Sequence, residues 1–222
     1  MSWDQGDLHG VISHTQHGIG QINMDSKIGV ALASIAALPT VKTLLEIGTW
    51  NGLGSTRCIV EGLRRRPADQ PYTFYSLEAN SEKWGIARDF YKDMPGVHIL
   101  NEVFYNDEPA DQTSIFPELA ENTTYQHWHN IDMQNMKSKP VFWNRTDLPQ
   151  TFDMVLLDGG EFTTWYEYQH IKDRCRILVL DDTNVPKCTR IVQELKSQPE
   201  RWNIIMENHE RNGNLIALRR DL

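Results

Sequence analysis

The chain has 222 residues, which against roughly 150 for a typical domain favours one domain carrying insertions over two full ones. Its 40% hydrophobic and 23% charged residues exclude wholesale disorder and low-complexity classes, and no apolar run reaches the ~18 to 20 residues of a bilayer span. The balance of 22 basic against 30 acidic side chains, a net charge of −8, argues against duplex nucleic acid as the main partner, because phosphate binding needs basic charge.

In chain order, the N-terminal segment 1–25 opens with acid where a secretory signal would carry base, and no apolar stretch follows. Cys58, Cys175 and Cys188 are odd in number and never paired as CxxC, so neither a disulfide framework nor a thiolate zinc site is indicated. They read as core fillers, and a reducing cytoplasm is the expected compartment. The sequons at Asn122 and Asn144 are then not expected to be used.

Short β-branched and leucine-rich runs alternate with amphipathic stretches, the pattern of an α/β fold with a mostly parallel sheet. The runs predict seven strands: Val41–Ile47, Thr73–Leu77, Val97–Leu100, Phe152–Leu157, Ile177–Leu180, Trp202–Glu207 and Leu215–Arg219. Helices are predicted over Ser26–Leu38, Ser55–Arg65, Ser81–Lys92, Thr163–Asp173 and Thr189–Ser197. Asn212-Gly213 is a turn signal between the last two strands, which makes them a hairpin with one antiparallel strand.

The connection from Asn101 to Thr151 exceeds an ordinary crossover. An insertion at about 104–150 is expected there, holding Phe104, Tyr105, Phe116, Tyr125, Trp128, Phe142 and Trp143, a third of the aromatic residues in a fifth of the length. Three readings stay open: a satellite hydrophobic cluster, a cap over substrate, or a subunit contact in a homo-oligomer.

Between the first strand and its helix runs Glu46-Ile-Gly48-Thr49-Trp50-Asn-Gly52-Leu-Gly54-Ser55. Such a turn lets backbone approach a ligand and aims helix-start amides at it. It is not the GxGxxG of dinucleotide sites, and Glu46 would repel a pyrophosphate but attract a cation. The segment resembles the first motif of class I S-adenosylmethionine-dependent methyltransferases, whose cofactor carries an ammonium and a sulfonium. That resemblance implies a Rossmann-like seven-stranded sheet with helices on both faces, and S-adenosyl-L-methionine as cofactor. It implies cofactor contacts from Glu46, Gly48, Thr49, Trp50, Gly52 and Ser55, and from Glu78 and Ala79 after the second strand, where a carboxylate accepts both ribose hydroxyls. Gln21–Lys27 resembles the loop that lies over the cofactor in catechol-type O-methyltransferases, and a capped helix start at Asp25 or Ser26 is the alternative.

Ligands of open α/β sheets sit beyond the carboxyl ends of strands. There the fourth strand gives Asp158-Gly-Gly-Glu161 and the fifth gives Asp181-Asp182-Thr-Asn184. Converging carboxylates are costly unless protonated or neutralised by a cation, and Mg²⁺ prefers oxygen ligands. The pattern resembles the metal-dependent O-methyltransferase branch, which implies a divalent ion on Asp158, Asp181 and Asp182, with Asp158 also catalytic and bordering the cofactor. Asn184 is an outer or alternative ligand, while N-capping or turn formation would equally explain the acid pair. Related enzymes place Lys or His where this chain has Glu161, so Glu161 is a base, a further ligand, or an acid at a helix N-terminus.

Other features are weaker. His127 with His129, and His14 with His17, have metal-compatible spacing but read as loop histidines. Arg64-Arg65-Arg66 reads as a solvated helix end, and Lys187 as a contact for an anionic substrate. The expectation is methyl transfer from S-adenosylmethionine to a hydroxyl oxygen of a small molecule or sugar, assisted by a divalent ion. The rivals are metal-independent N- or C-methylation and a non-catalytic cofactor-binding protein.

Overall fold

The computed structural model describes residues 21–106, 117 and 121–222. The expectations for the segment before Gln21, for His14 and His17, and for Phe116 lie outside the described residues.

Seven strands form one sheet: β1 (Thr43–Ile47), β2 (Thr73–Leu77), β3 (Val97–Leu100), β4 (Phe152–Leu157), β5 (Cys175–Asp181), β6 (Trp202–Asn208) and β7 (Asn214–Arg219). Their order is β3-β2-β1-β4-β5-β7-β6, and only β7 runs antiparallel to its neighbours. The six α-helices among the described residues are α1 (Lys27–Ala36), α2 (Ser55–Arg64), α3 (Ser81–Tyr91), α4 (Thr123–Ser138), α5 (Thr164–Ile171) and α6 (Pro186–Ser197). The alternation of helical and extended patterning thus gives a Rossmann-like α/β sandwich with the C-terminal hairpin anticipated from Asn212-Gly213.

The sheet separates two cores because successive strand residues point to opposite faces. Leu44, Phe74, Met154, Leu156 and Val179 pack with α1, α2 and α3 on one side. Leu45, Leu77, Val155, Leu157 and Leu180 pack with α5, α6 and two methionines of α4 on the other. Strands covered on both faces read as unbroken apolar runs, and each fully buried aliphatic side chain contributes about 2 kcal/mol. Cys58, Cys175 and Cys188 are free and buried in these cores, as read from the sequence.

Boundaries differ where side chains compete with backbone. The first strand begins at Thr43 rather than Val41, because Val41 N is taken by the Leu38 carbonyl at 3.0 Å and Lys42 N and Thr43 N donate to Asp153 Oδ2 at 2.8 and 2.9 Å. Ser26 caps α1, accepting from Gly29 N at 3.1 Å, so the capped helix start is realised. The sixth helix starts at Pro186, three residues before the expected Thr189, since proline at the first helical position supplies the required φ and lacks only an N–H that has no partner there anyway. Arg66 corrects the solvated-end reading. It is buried, its guanidinium donates to the Ala36 and Val41 carbonyls, and it fixes the connection from α1 to β1.

The insertion contains a helix that no periodicity announced. Asn122 caps α4, accepting from Thr124 N and Tyr125 N, so this sequon asparagine has a local structural task. Only Met133 and Met136 of the helix are buried, too few for an apolar stripe to be read. Phe104, Tyr105 and Phe142 join the core and Trp143 packs on it, whereas Trp128 is 44% exposed.

Candidate functional site

Strand order reverses between β1 and β4, which opens a crevice at the carboxyl ends of the parallel strands. A cleft of about 500 Å³ occupies it. One half is built from the β1–α2 turn and the end of β2. The other is built from the ends of β4 and β5, α5 and the inserted α4.

In the first half, Gly48 has φ +102°, and a Cβ there would lie 2.1 Å from the Asp158 carbonyl oxygen. Only glycine lets the two loops cross so closely. Trp50 follows in the left-handed region at φ 51°, a conformation that costs roughly 1 kcal/mol for a bulky residue and persists where surroundings impose it. Here the constraint is Glu78, whose Oε2 accepts Trp50 N at 2.6 Å while Oε1 accepts Asn80 N at 2.7 Å. The carboxylate therefore ties the ends of β1 and β2 together and still has lone pairs facing the cleft. Burial raises its pKa to about 7.

Gly48, Thr49, Trp50, Ser55, Glu78 and Ala79 all line the cleft, joined by Gln21 and Ile22 from the segment ahead of α1. Glu46 and Gly52 do not. Glu46 is fully buried behind the turn, where Oε1 accepts from Ser55 Oγ at 2.6 Å and Oε2 from Thr56 Oγ1 and Ser76 Oγ at 2.7 and 2.5 Å. Three hydroxyls occupy the carboxyl group expected to face a cation, so Glu46 acts by clamping β1, β2 and the start of α2. Gly52 packs against Ala87 and Tyr91, whose hydroxyl donates to its carbonyl at 2.6 Å.

In the second half, Asp158, Asp181 and Asp182 converge so that one oxygen of each lies within 4.8 Å of the others, and this is the sole such group of potential metal ligands among the described residues. His127 and His129 belong to no such group. Asp182 sits at φ 56°, another left-handed non-glycine residue, and its Oδ1 is buried without a hydrogen-bond partner. The N-capping reading of the acid pair is not realised, since the residue preceding α6 is Val185 and makes no side-chain cap, whereas the turn reading is, Val185 N donating to the Asp182 carbonyl at 3.2 Å. Asn184 turns to the hairpin, beside Gly213, and Asn212 is the amide that bonds Asp182.

A fourth group corrects the sequence reading of Lys187. Its ammonium is buried behind the acids, 2.8 Å from Asp182 Oδ2 and 3.3 Å from Asp158 Oδ1, and it does not line the cleft. Burial pulls its pKa down, but the Asp158 and Asp182 charges outweigh this and hold it well above the usual lysine value. Burial raises Asp158 to about 7 against the opposing pull of Lys187, and burial together with the Asp182 charge raises Asp181. Burial also pushes Asp182 upward, but Lys187 overcomes it and the net shift is down.

Glu161 stands outside the cleft, on a smaller neighbouring hollow with Trp128, Ile131 and Asp132. The sequence reading missed three acids that do line the cleft: Glu102, Asp132 and Glu167. Glu167 was legible in principle, because it shares the buried stripe Thr164, Glu167, Tyr168, Ile171 of α5, where an unexplained acid is informative. Asp132 was not, since its helix was not recognisable.

No family model matches the chain, and no curated protein matches it in sequence. Solved structures match nearly end to end. An O-methyltransferase from Bacillus cereus in complex with SAH is 13% identical with a TM-score of 0.60, over 99% of this chain and 92% of that one. The SAH-bound methyltransferase PaMTH1 of Podospora anserina is 15% identical with a TM-score of 0.54, over 100% and 98%. A methyltransferase from Geobacter sulfurreducens is 12% identical with a TM-score of 0.54, over 99% and 91%. At these identities the likeness is one of fold: the chain has the Rossmann-like fold of class I methyltransferases. No helix among the described residues is long and apolar enough to cross a membrane.

Proposed function

We propose that the protein is an S-adenosylmethionine-dependent methyltransferase acting on a hydroxyl oxygen of a small molecule or sugar. The observation that carries this reading is one cleft holding Glu78 beside the Gly48–Trp50 turn at one end and Asp158, Asp181 and Asp182 at the other. Two structural neighbours carry SAH, in keeping with that cofactor. When bound, the cofactor supplies an electrophilic methyl group on a sulfonium. Glu78 is the acceptor for its ribose hydroxyls, and the Gly48–Trp50 backbone gives it close approach. The acceptor oxygen attacks the methyl carbon as the carbon–sulfur bond breaks, and holding the two in line is the main catalytic demand. Asp158, with a pKa near neutrality, takes the hydroxyl proton. Glu161, outside the cleft, is assigned no step.

The acid triad suits a hard divalent cation such as Mg²⁺, and the unpartnered Asp182 Oδ1 is an oxygen waiting for one. Asp158, Asp181 and Asp182 would hold it, and it would lower the pKa of the acceptor hydroxyl. Lys187 favours a second reading, metal-independent transfer, because its ammonium already neutralises part of the same charge. The test is SAH formation from S-adenosylmethionine with a panel of diols and catechols, before and after chelation. Product that disappears with EDTA and returns with Mg²⁺ supports the metal reading, and undiminished turnover supports the Lys187 reading. Absence of any cofactor binding refutes the proposal as a whole.

A further inference from the structure

The cleft is electrically one-sided. Seven carboxylate side chains line it, with no lysine, arginine or histidine among the described residues of its wall. Five of the seven have a task or a counter-charge. Glu78 ties two strand ends, Glu102 pairs with Arg145 at 3.2 Å, and Lys187 and Arg211 stand behind the Asp158, Asp181 and Asp182 triad. Asp132, which accepts Phe162 N at 3.4 Å, and Glu167, beside Thr163 and Thr164, remain without a counter-charge: among the described residues neither has a cation within ion-pair distance.

These two carboxyl groups meet at the Gly159–Gly160 pair that follows Asp158. A Cβ at 159 would lie 3.2 Å from Glu167 Oε2, and one at 160 would lie 2.6 Å from Asp132 Oδ2. The missing side chain at 160 makes room for the Asp132 carboxyl and that at 159 leaves Glu167 unhindered, so one acid from α5 and one from α4 reach a single stretch of backbone beside Asp158. Glu167 is 5% exposed, lines the cleft, and its Oε2 is buried with no hydrogen-bond partner. Leaving such an oxygen unpaired is costly, so its partner is to be sought outside the chain.

Building on the methyl-transfer reading, we propose that the acceptor is a hydroxylated amine, whose ammonium is received by Asp132 and Glu167 while its hydroxyl lies at Asp158. An anion is excluded by the charge of the wall. A metal ion at this second place is disfavoured because, among the described residues, neither acid belongs to a group with ligand spacing. An ammonium fits: it brings up to three donors and the missing positive charge. Burial raises Glu167 to about 8 and Asp132 to about 6, only partly opposed by the more distant Lys187, the state that a bound ammonium would relieve. Phe104 and Tyr105 also line the cleft and supply apolar surface for the carbon skeleton.

The test is calorimetric binding to the SAH-loaded protein of matched ligands on two scaffolds: dopamine, 4-ethylcatechol and 3,4-dihydroxyphenylacetate, and glucosamine, glucose and glucuronate. The expected result on at least one scaffold is binding of the amine about tenfold or more tighter than its neutral counterpart, with the carboxylate weakest. Glu167→Gln and Asp132→Asn, both nearly isosteric, should each reduce that ratio while SAH binding is retained. Equal affinity of amine and neutral ligand, preference for the carboxylate, or no amine binding on either scaffold overturns the proposal. Those results leave cofactor binding intact, whereas failure of SAH itself to bind overturns the methyltransferase reading and this inference together.

Discussion

Glu167→Gln should stabilise the unliganded protein, and increasingly so as pH rises. In the unfolded chain this carboxyl ionises near 4.3, whereas burial in the folded state raises it to about 8. A raised carboxyl pKa means that the unfolded state releases its proton first, so stability is complete below about pH 4.3 and declines until about pH 8. At pH 7 the folded protein still holds the proton while the unfolded chain has lost it, a difference of about 4 kcal/mol. Glutamine cannot ionise and avoids that loss. The variant should therefore come within about 0.5 kcal/mol of the wild type near pH 4.5 and exceed it by about 4 kcal/mol at pH 7, an increase in Tm of roughly 8 to 16 °C for a chain of this size. Urea and thermal unfolding at intervals from pH 4.5 to 8.5, without ligand, measure the difference directly. Equal slopes with pH in both proteins, or a variant weakened at every pH, would show that Glu167 ionises freely in the fold and would refute the argument.

Three further outcomes follow from the site. Gly48→Ala adds a methyl 2.1 Å from the Asp158 carbonyl at a φ of +102° and should cost about 2 kcal/mol or more, read by chemical denaturation; a loss within about 0.5 kcal/mol would contradict the described loop crossing. SAH affinity should weaken as pH falls through about 7, where Glu78 takes up a proton and can no longer accept both ribose hydroxyls; Glu78→Gln should weaken binding about tenfold and flatten the pH profile in titration calorimetry. Lys187→Met removes the ammonium 2.8 Å from Asp182 and 3.3 Å from Asp158, so it should destabilise the metal-free protein by about 3 kcal/mol while tightening Mn²⁺ or Mg²⁺ binding about tenfold or more. An unchanged divalent affinity would mean that the cation and Lys187 do not share the acid triad.

The sequence by itself determined the sheet and the position of the crevice. Unbroken apolar runs such as Met154–Leu157 mark strands covered on both faces, and the residues closing them had to fall at the carboxyl edge, which is why Glu78, Asp158, Asp181 and Asp182 were legible. Only the tertiary structure decided what each acid faces. Glu46 and Glu78 both end or follow adjacent parallel strands, yet one is enclosed by three hydroxyls and the other opens onto the cleft. Lys187, five residues beyond Asp182, reads locally as a contact for an anionic substrate but is folded under the triad by the first turn of α6. Asp132 comes from a polar helix without an apolar stripe, and its closeness to the Gly159–Gly160 backbone depends on a contact across thirty residues of chain. Patterns of period two and 3.6 report which face of an element is buried. They carry no information on which charged groups distant elements bring together, and that juxtaposition is what gives this cleft its chemistry.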